Sequence, residues 1–150
     1  MSLTPTVFYR DPDAALAWLQ KAFGFETAIL LVDDAGKIAH CEVETGCGQL
    51  GVAGEWGGPQ LGGAAMRSPA SLGGANTQFL WLDVDDIDSH AARASAAGAR
   101  IVQDPEDQFY GARTYRAHDL EGHVWCFRRM VREVSTEDQE QMTGLKYVKA

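Results

Sequence analysis

His40 and Glu42 stand two positions apart in the run IAHCEVE. If that run is extended, residues i and i+2 share a face. An imidazole that titrates near neutrality would then sit beside a carboxylate able to orient it or raise its pKa. That pair is the minimum equipment for general acid–base chemistry, and equally what two polar residues lining a wet cavity would be. Cys126 adds a thiol, but no histidine neighbours it in sequence, and a small buried hydrophobe is the commoner role. Cys41, Cys47 and Cys126 are odd in number and lack CxxC spacing. They encode neither a disulfide framework nor a zinc knuckle.

Binding needs apolar area and a few convergent polar groups. Phe8, Trp56, Phe79, Trp81, Phe109 and Tyr110 can supply the first, since aromatic faces also attract cations. Glu42, Glu55 and Asp83 would favour a cationic partner, and Arg113, Tyr115 and Cys126 complete the set expected to line a pocket. No Gly-rich phosphate loop follows a strand with the required spacing, which argues against nucleotides. A formal net charge of −8 argues against nucleic acid and anionic membrane surfaces as partners. The first residues, MSLTPTVFYR, contain no signal-like apolar run, and no later stretch is long enough to span a bilayer. With cysteines read as reduced thiols, a cytoplasmic location is expected.

The elements that must position these residues come twice. Pro5 to Arg10 alternates as a strand. Asp11-Pro12 then opens a helix, with a carboxylate to cap free amides and a proline where its missing N–H is harmless. Leu16, Leu19 and Phe23 recur at helical spacing and Gly24 stops the helix. Strands are expected over 25–32, 37–45 and 49–55, with the hairpin turn Asp33-Asp34-Ala35-Gly36 between the first two. A second unit repeats the plan: strand 78–84, helix 86–97 stopped by Gly98, short strand 99–103, polar loop 104–111, strand 112–118, turn 119–122 and strand 123–129. Asp11 to Gly24 and Asp85 to Gly98 are both 13 positions apart, and the pattern of a duplicated βαβββ module follows. Residues 57–76 are rich in Gly, Ala, Pro and Ser and read as a long connection, either a lid or a disordered segment. After Arg132, Ser135-Thr136-Glu137-Asp138 caps a short polar helix ending at Gly144.

Tandem βαβββ modules, with LDVDDID before the second helix and FYGARTYRAHDLEGHVW near the end, resemble the glyoxalase/bleomycin-resistance/dioxygenase superfamily, the vicinal oxygen chelate fold. The most specific part is the D-x-x-G-H-x-W run at Asp119, Gly122, His123 and Trp125. The resemblance implies an α+β fold: two modules, about 4–56 and 77–129 within a domain spanning 1–132, curl into an incomplete mixed-sheet barrel with helices outside. Residues 133–150 form a polar tail. It further implies a concave ligand site and a homodimer. Metal-dependent members carry His, Gln or Glu at four pocket positions, which here fall on Thr4, Gly51, Phe79 (Gln78 if the register slips by one) and Cys126. That set does not amount to three protein ligands for a catalytic ion.

Alternation places Thr6 and Phe8, His40 and Glu42, Gln49 and Gly51, Phe79, Trp81 and Asp83, Arg113 and Tyr115, and Val124 and Cys126 on the concave side. Trp125 and Phe127 fall on the opposite face, in the core. The expected protein binds a small aromatic or cationic molecule without a metal, as the antibiotic-sequestering members do. The alternative is a lyase, isomerase or dioxygenase that uses a divalent ion on displaced ligands, or His40 and Glu42 as acid and base.

Overall fold

The computed structural model describes residues 3–148. Residues 1–2 and 149–150, the outer ends of the expected domain and tail, lie outside the described residues. The first module runs β1 (Thr6–Tyr9), α1 (Pro12–Phe23), β2 (Glu26–Val32), β3 (Ile38–Glu44) and β4 (Gln49–Gly54). A connection with its own small hairpin, β5 (Trp56–Gly57) and β6 (Ala65–Met66), leads to the second module. That module runs β7 (Leu80–Asp83), α2 (Ile87–Ala96), β8 (Arg100–Asp107), β9 (Ala112–His118) and β10 (Val124–Met130). A terminal helix, α3 (Thr136–Thr143), follows.

The two sheets have the same strand order, β1-β4-β3-β2 and β7-β10-β9-β8. In each, the first strand pairs in parallel with the last and the rest is antiparallel. Neither sheet closes into a barrel. The duplication inferred from Asp–helix–Gly spacing is therefore a structural one, and its local causes are visible. Asp11 accepts a hydrogen bond from the Ala14 N–H at 3.0 Å, and Asp86 does the same for Ser89 at 3.0 Å. Each satisfies an amide that has no partner within its helix. Gly24 closes α1 at φ 75°, a conformation that disfavours any residue with a Cβ.

Helix-facing residues of both sheets share one core, including Val7, Tyr9, Val43, Leu50 and Val52 from the first module and Leu82, Tyr115, Trp125 and Phe127 from the second. The Phe23 ring, at the end of α1, reaches Trp125 and Phe127 at centroid distances of 5.4 and 4.8 Å. Polar ties cross the same seam. Arg93 on α2 donates through Nε to the Lys21 carbonyl at 2.8 Å and through Nη2 to the Gln20 carbonyl at 2.9 Å, capping the C-terminus of α1. Trp18 Nε1 donates to the Ala97 carbonyl at 2.9 Å.

Two expectations need revision. β8 does not stop at Gln103; it continues through Pro105 to Asp107, with register shifts on either side of Gln103. An edge strand with bulges tolerates a proline, because its missing N–H would have faced away from the sheet. The connection 57–76, expected as a lid or a disordered segment, carries short 3₁₀ turns at Pro59–Leu61 and Pro69–Ser71 besides its hairpin. It is pinned by distant side chains: Glu55 accepts the Ser68 N–H at 2.8 Å, and Asn76 donates to the Gly122 carbonyl at 3.0 Å.

Candidate functional site

The face of the second sheet that turns away from the helices is set by strand pairing. Trp81 on β7 lies beside Cys126 on β10, Cys126 beside Arg116 on β9, and Arg116 beside Gln103 on β8. One row further along stand Asp83, Arg128, Thr114 and Glu106. Trp81 is 38% exposed, and the Arg116 and Arg128 guanidinium carbons lie 5.9 and 5.8 Å from its ring centroid. Arg128 Nε donates to Asp83 Oδ1 at 2.7 Å. Among the described residues Arg116 has no carboxylate partner. Cys126 is buried beneath this layer; burial pushes its thiol pKa up, and the Arg116 guanidinium pulls the other way.

This arrangement corrects the expected face of β9. Arg113 and Tyr115 point to the helix side. Arg113 forms a two-pronged pair with Asp88 on α2, both contacts at 2.8 Å, and a third bond to Asp107 at 2.9 Å. Tyr115 is fully buried, stacks on Phe127 at 4.8 Å, and its hydroxyl bonds His90 Nδ1 at 2.6 Å. The physical reason is parity: His118 pairs with Val124 across a five-residue turn, so even-numbered residues of β9 share a face with even-numbered residues of β10. Arg116 and Thr114 stand where Arg113 and Tyr115 were expected.

On the first sheet His40 Nε2 and Glu42 Oε1 are 3.0 Å apart, the imidazole side chain 53% exposed. The pair exists, on an open surface. Thr6 and Phe8 are half-buried on β1. They border a pocket of about 480 Å³ whose other wall is the connection, through Met66, Arg67 and Leu72. Glu55 is not at liberty to meet a ligand. Hydrogen bonds from Ser71 and Ser68 lower its pKa and fasten the connection. Trp56 pairs with Met66 in the β5–β6 hairpin and is 42% exposed. Phe79 precedes β7 and meets Trp81 edge-on at 6.0 Å. Phe109 and Tyr110, in edge contact at 5.2 Å, border a separate cleft of about 480 Å³ against Gln139 and Tyr147 of the C-terminal segment. The expected aromatic set is thus spread over three surfaces.

The positions at which the resemblance places metal ligands offer a hydroxyl, no side chain, a phenyl ring (the Gln78 carboxamide if the register slips by one) and a thiol: Thr4, Gly51, Phe79 and Cys126. At Gly51 the space itself is taken, because a Cβ there would meet Thr6 Oγ1 at 2.5 Å. No group of three His, Cys, Asp or Glu side chains among the described residues is arranged to hold an ion. The residues present do not fit the metal.

The D-x-x-G-H-x-W run serves the seam. Asp119 accepts from the Tyr9 hydroxyl at 2.7 Å, from Trp125 Nε1 at 3.0 Å, and from the backbone N–H groups of Glu121 and His123, both at 3.0 Å. Glu121 accepts the N–H of Arg10 and Asp11 at 2.8 and 3.0 Å, just before α1. His123 Nε2 donates to the Phe8 carbonyl at 2.7 Å.

The family model that matches is that of the Glyoxalase/Bleomycin resistance protein/Dioxygenase superfamily, over residues 3–127. The uncharacterised protein Mb0911c of Mycobacterium bovis is 30% identical over 137 residues, 91% of this chain and 88% of that protein. The crystal structure of TioX from Micromonospora sp. ML1 is 34% identical, with a TM-score of 0.71 over 87% of this chain and 99% of that one. The structure of a glyoxalase/bleomycin resistance protein/dioxygenase family enzyme from Burkholderia phytofirmans PsJN shares the fold at 22% identity, with a TM-score of 0.60 over 85% of this chain and 97% of that one.

Proposed function

Because this chain belongs to the glyoxalase/bleomycin resistance protein/dioxygenase superfamily, we propose that it is a metal-independent binding protein that sequesters a small aromatic compound on the open face of its second sheet. The observation that carries this reading is Trp81, an indole exposed on a sheet face with two guanidiniums within 6 Å of its ring centre. An exposed tryptophan on a rigid strand is a preorganised stacking surface, and little ordering entropy is lost when a planar ligand covers it. The donor-poor set Thr4, Gly51, Phe79 and Cys126 supports independence from a metal.

The site works in a homodimer in the cytoplasm. Every residue of β2 is exposed, including Ile29, Leu30, Leu31 and Val32 on an edge strand. An apolar edge of that kind pairs with another chain unless it is covered, and a second copy is the simplest cover. Among the described residues no helix is long and apolar enough to cross a membrane. Sedimentation of the wild type and of Leu31→Glu tests the pairing; a wild-type monomer at micromolar concentration would refute it.

The second reading is an enzyme in which His40 and Glu42 act as base and orienting carboxylate, favoured by their 3.0 Å contact. Metal analysis of protein purified without a chelating tag, alongside His40→Ala and Glu42→Ala, separates the two. The binding reading expects no stoichiometric ion, and thermal stabilisation by aromatic ligands that survives both substitutions. An ion present in the wild type and lost from either variant would overturn it.

A further inference from the structure

We propose that the ligand held at Trp81 is an anion, a planar aromatic carboxylate whose ring stacks on the indole and whose carboxylate is taken by Arg116. This rests on the binding function proposed above and narrows its ligand class, against the cationic partner expected from sequence.

The three carboxylates that suggested a cation are all engaged. Glu42 contacts His40, Glu55 ties down the connection, and Asp83 accepts from Arg128. On the open face itself arginines outnumber the two carboxylates, Asp83 and Glu106. Arg100, Arg116 and Arg128 share it, because Arg100 pairs with His118 in the same phase that places Arg116 beside Gln103 and Cys126. The chain as a whole carries a formal charge of −8, so a cluster of guanidiniums on one face is a local reversal of its field. A cation approaching Trp81 would compete with two guanidiniums already within 6 Å of the ring and would be repelled by both.

An anion meets the opposite situation. The Arg128 charge is partly answered by Asp83, while Arg116 has no carboxylate partner among the described residues and stands beside Cys126. A guanidinium presents paired N–H groups in a plane that match a carboxylate in two-pronged fashion. A carboxylate carbon lies about 3 Å from the centre of the ring that bears it and about 4 Å from the guanidinium carbon it pairs with, so a ring stacked with an offset on the indole can reach Arg116, whose guanidinium carbon is 5.9 Å from the indole centroid. One rigid ligand can therefore satisfy both groups at once. Gln103, which donates to the buried Thr114 hydroxyl at 2.9 Å, provides a neutral polar border on the same face.

The test is calorimetric titration of the full chain with 2-naphthoate, its neutral methyl ester and 2-naphthylmethylammonium. Naphthoate should bind with one site per chain and at least tenfold more tightly than the ammonium compound. Arg116→Gln should weaken naphthoate by roughly ten- to a hundredfold, the range for a charge-assisted bond lost, and the ester by far less. Trp81→Ala should weaken all three. Arg116 is exposed on its strand, so the variant's fold is checked by circular dichroism. Equal or tighter binding of the ammonium compound, or a preference for naphthoate that survives Arg116→Gln, overturns the assignment while leaving aromatic binding intact. Dissociation of a dimer by Arg116→Gln with that preference unchanged also overturns it and gives the guanidinium to the subunit interface. No binding by any of the three probes removes the parent function and this inference together.

Discussion

Replacing Asp119 by alanine should be among the most destabilising single changes available to this chain, although the residue touches no ligand. The carboxylate accepts four hydrogen bonds. Truncation strands the Tyr9 hydroxyl and the Trp125 indole N–H, on residues that are 0% and 1% exposed. A buried donor without a partner costs about 1–3 kcal/mol. The two side-chain donors together then give about 4 kcal/mol, with the two backbone N–H groups adding less because water can reach the turn. For a chain of this size, about 4 kcal/mol lowers Tm by roughly 8–16 °C. Asp119→Asn keeps an oxygen for the two backbone amides but sets an NH₂ group against the Trp125 N–H, and should lose about half as much. Tyr9→Phe removes one donor together with its need, and should cost about 1 kcal/mol. Urea unfolding of the three variants and of the Tyr9→Phe/Asp119→Ala double variant gives the coupling energy directly. An Asp119→Ala loss below about 1 kcal/mol, or simple additivity in the cycle, would show that the network is not what joins the modules.

His90 should make the protein acid-sensitive above the carboxylate range. Its ring is held neutral, donating Nε2–H to the Phe23 carbonyl and accepting the Tyr115 hydroxyl at Nδ1, and burial, then the Arg93 charge, lower its pKa below 6.5. The folded state therefore binds fewer protons than the unfolded one. Its contribution is complete above pH 6.5 and is lost as pH falls from there through the folded pKa. Denaturant midpoints between pH 7.5 and 5 should fall more steeply for the wild type than for His90→Gln; parallel curves would contradict this. Gly24→Ala should destabilise by roughly 1–2 kcal/mol, from left-handed backbone strain and from displacement of Arg93, whose Nη1 lies 2.6 Å from the added Cβ. Combined with Arg93→Ala, the Gly24→Ala loss should shrink, a non-additivity readable in thermal melts.

What the sequence disclosed well was local. Asp11, Pro12 and Gly24 mark α1 because caps and left-handed turns depend on adjacent residues, and the same holds for Ser135 and Gly144 around α3. The match of Asp11–Gly24 to Asp85–Gly98 then revealed the duplication. What escaped was set by partners far along the chain. The face of Arg113 and Tyr115 depends on which residue of β10 each pairs with. Counting the five residues between His118 and Val124 would have exposed the error, and with it Arg116. The cationic preference rested on three carboxylates counted as unpaired charges, whereas each has a partner in the folded chain. The Gly-rich connection reads as loose because the partners that hold it, Glu55 for Ser68 and Gly122 for Asn76, lie outside its own composition.

The ties across the seam also govern the order in which the chain can be completed as it is made. Tyr9 waits for Asp119, 110 positions later, and the amides ahead of α1 wait for Glu121. At common synthesis rates of about 5–20 residues per second, that interval is roughly 6–20 s. Through it, the nascent first half exposes the apolar edge of β2 and a strand whose buried hydroxyl has nothing to bond. The chain therefore gains its stability late and all at once, when the last hairpin arrives, and not half by half. The interval before that moment is when it is most exposed to mispairing with a neighbouring nascent copy.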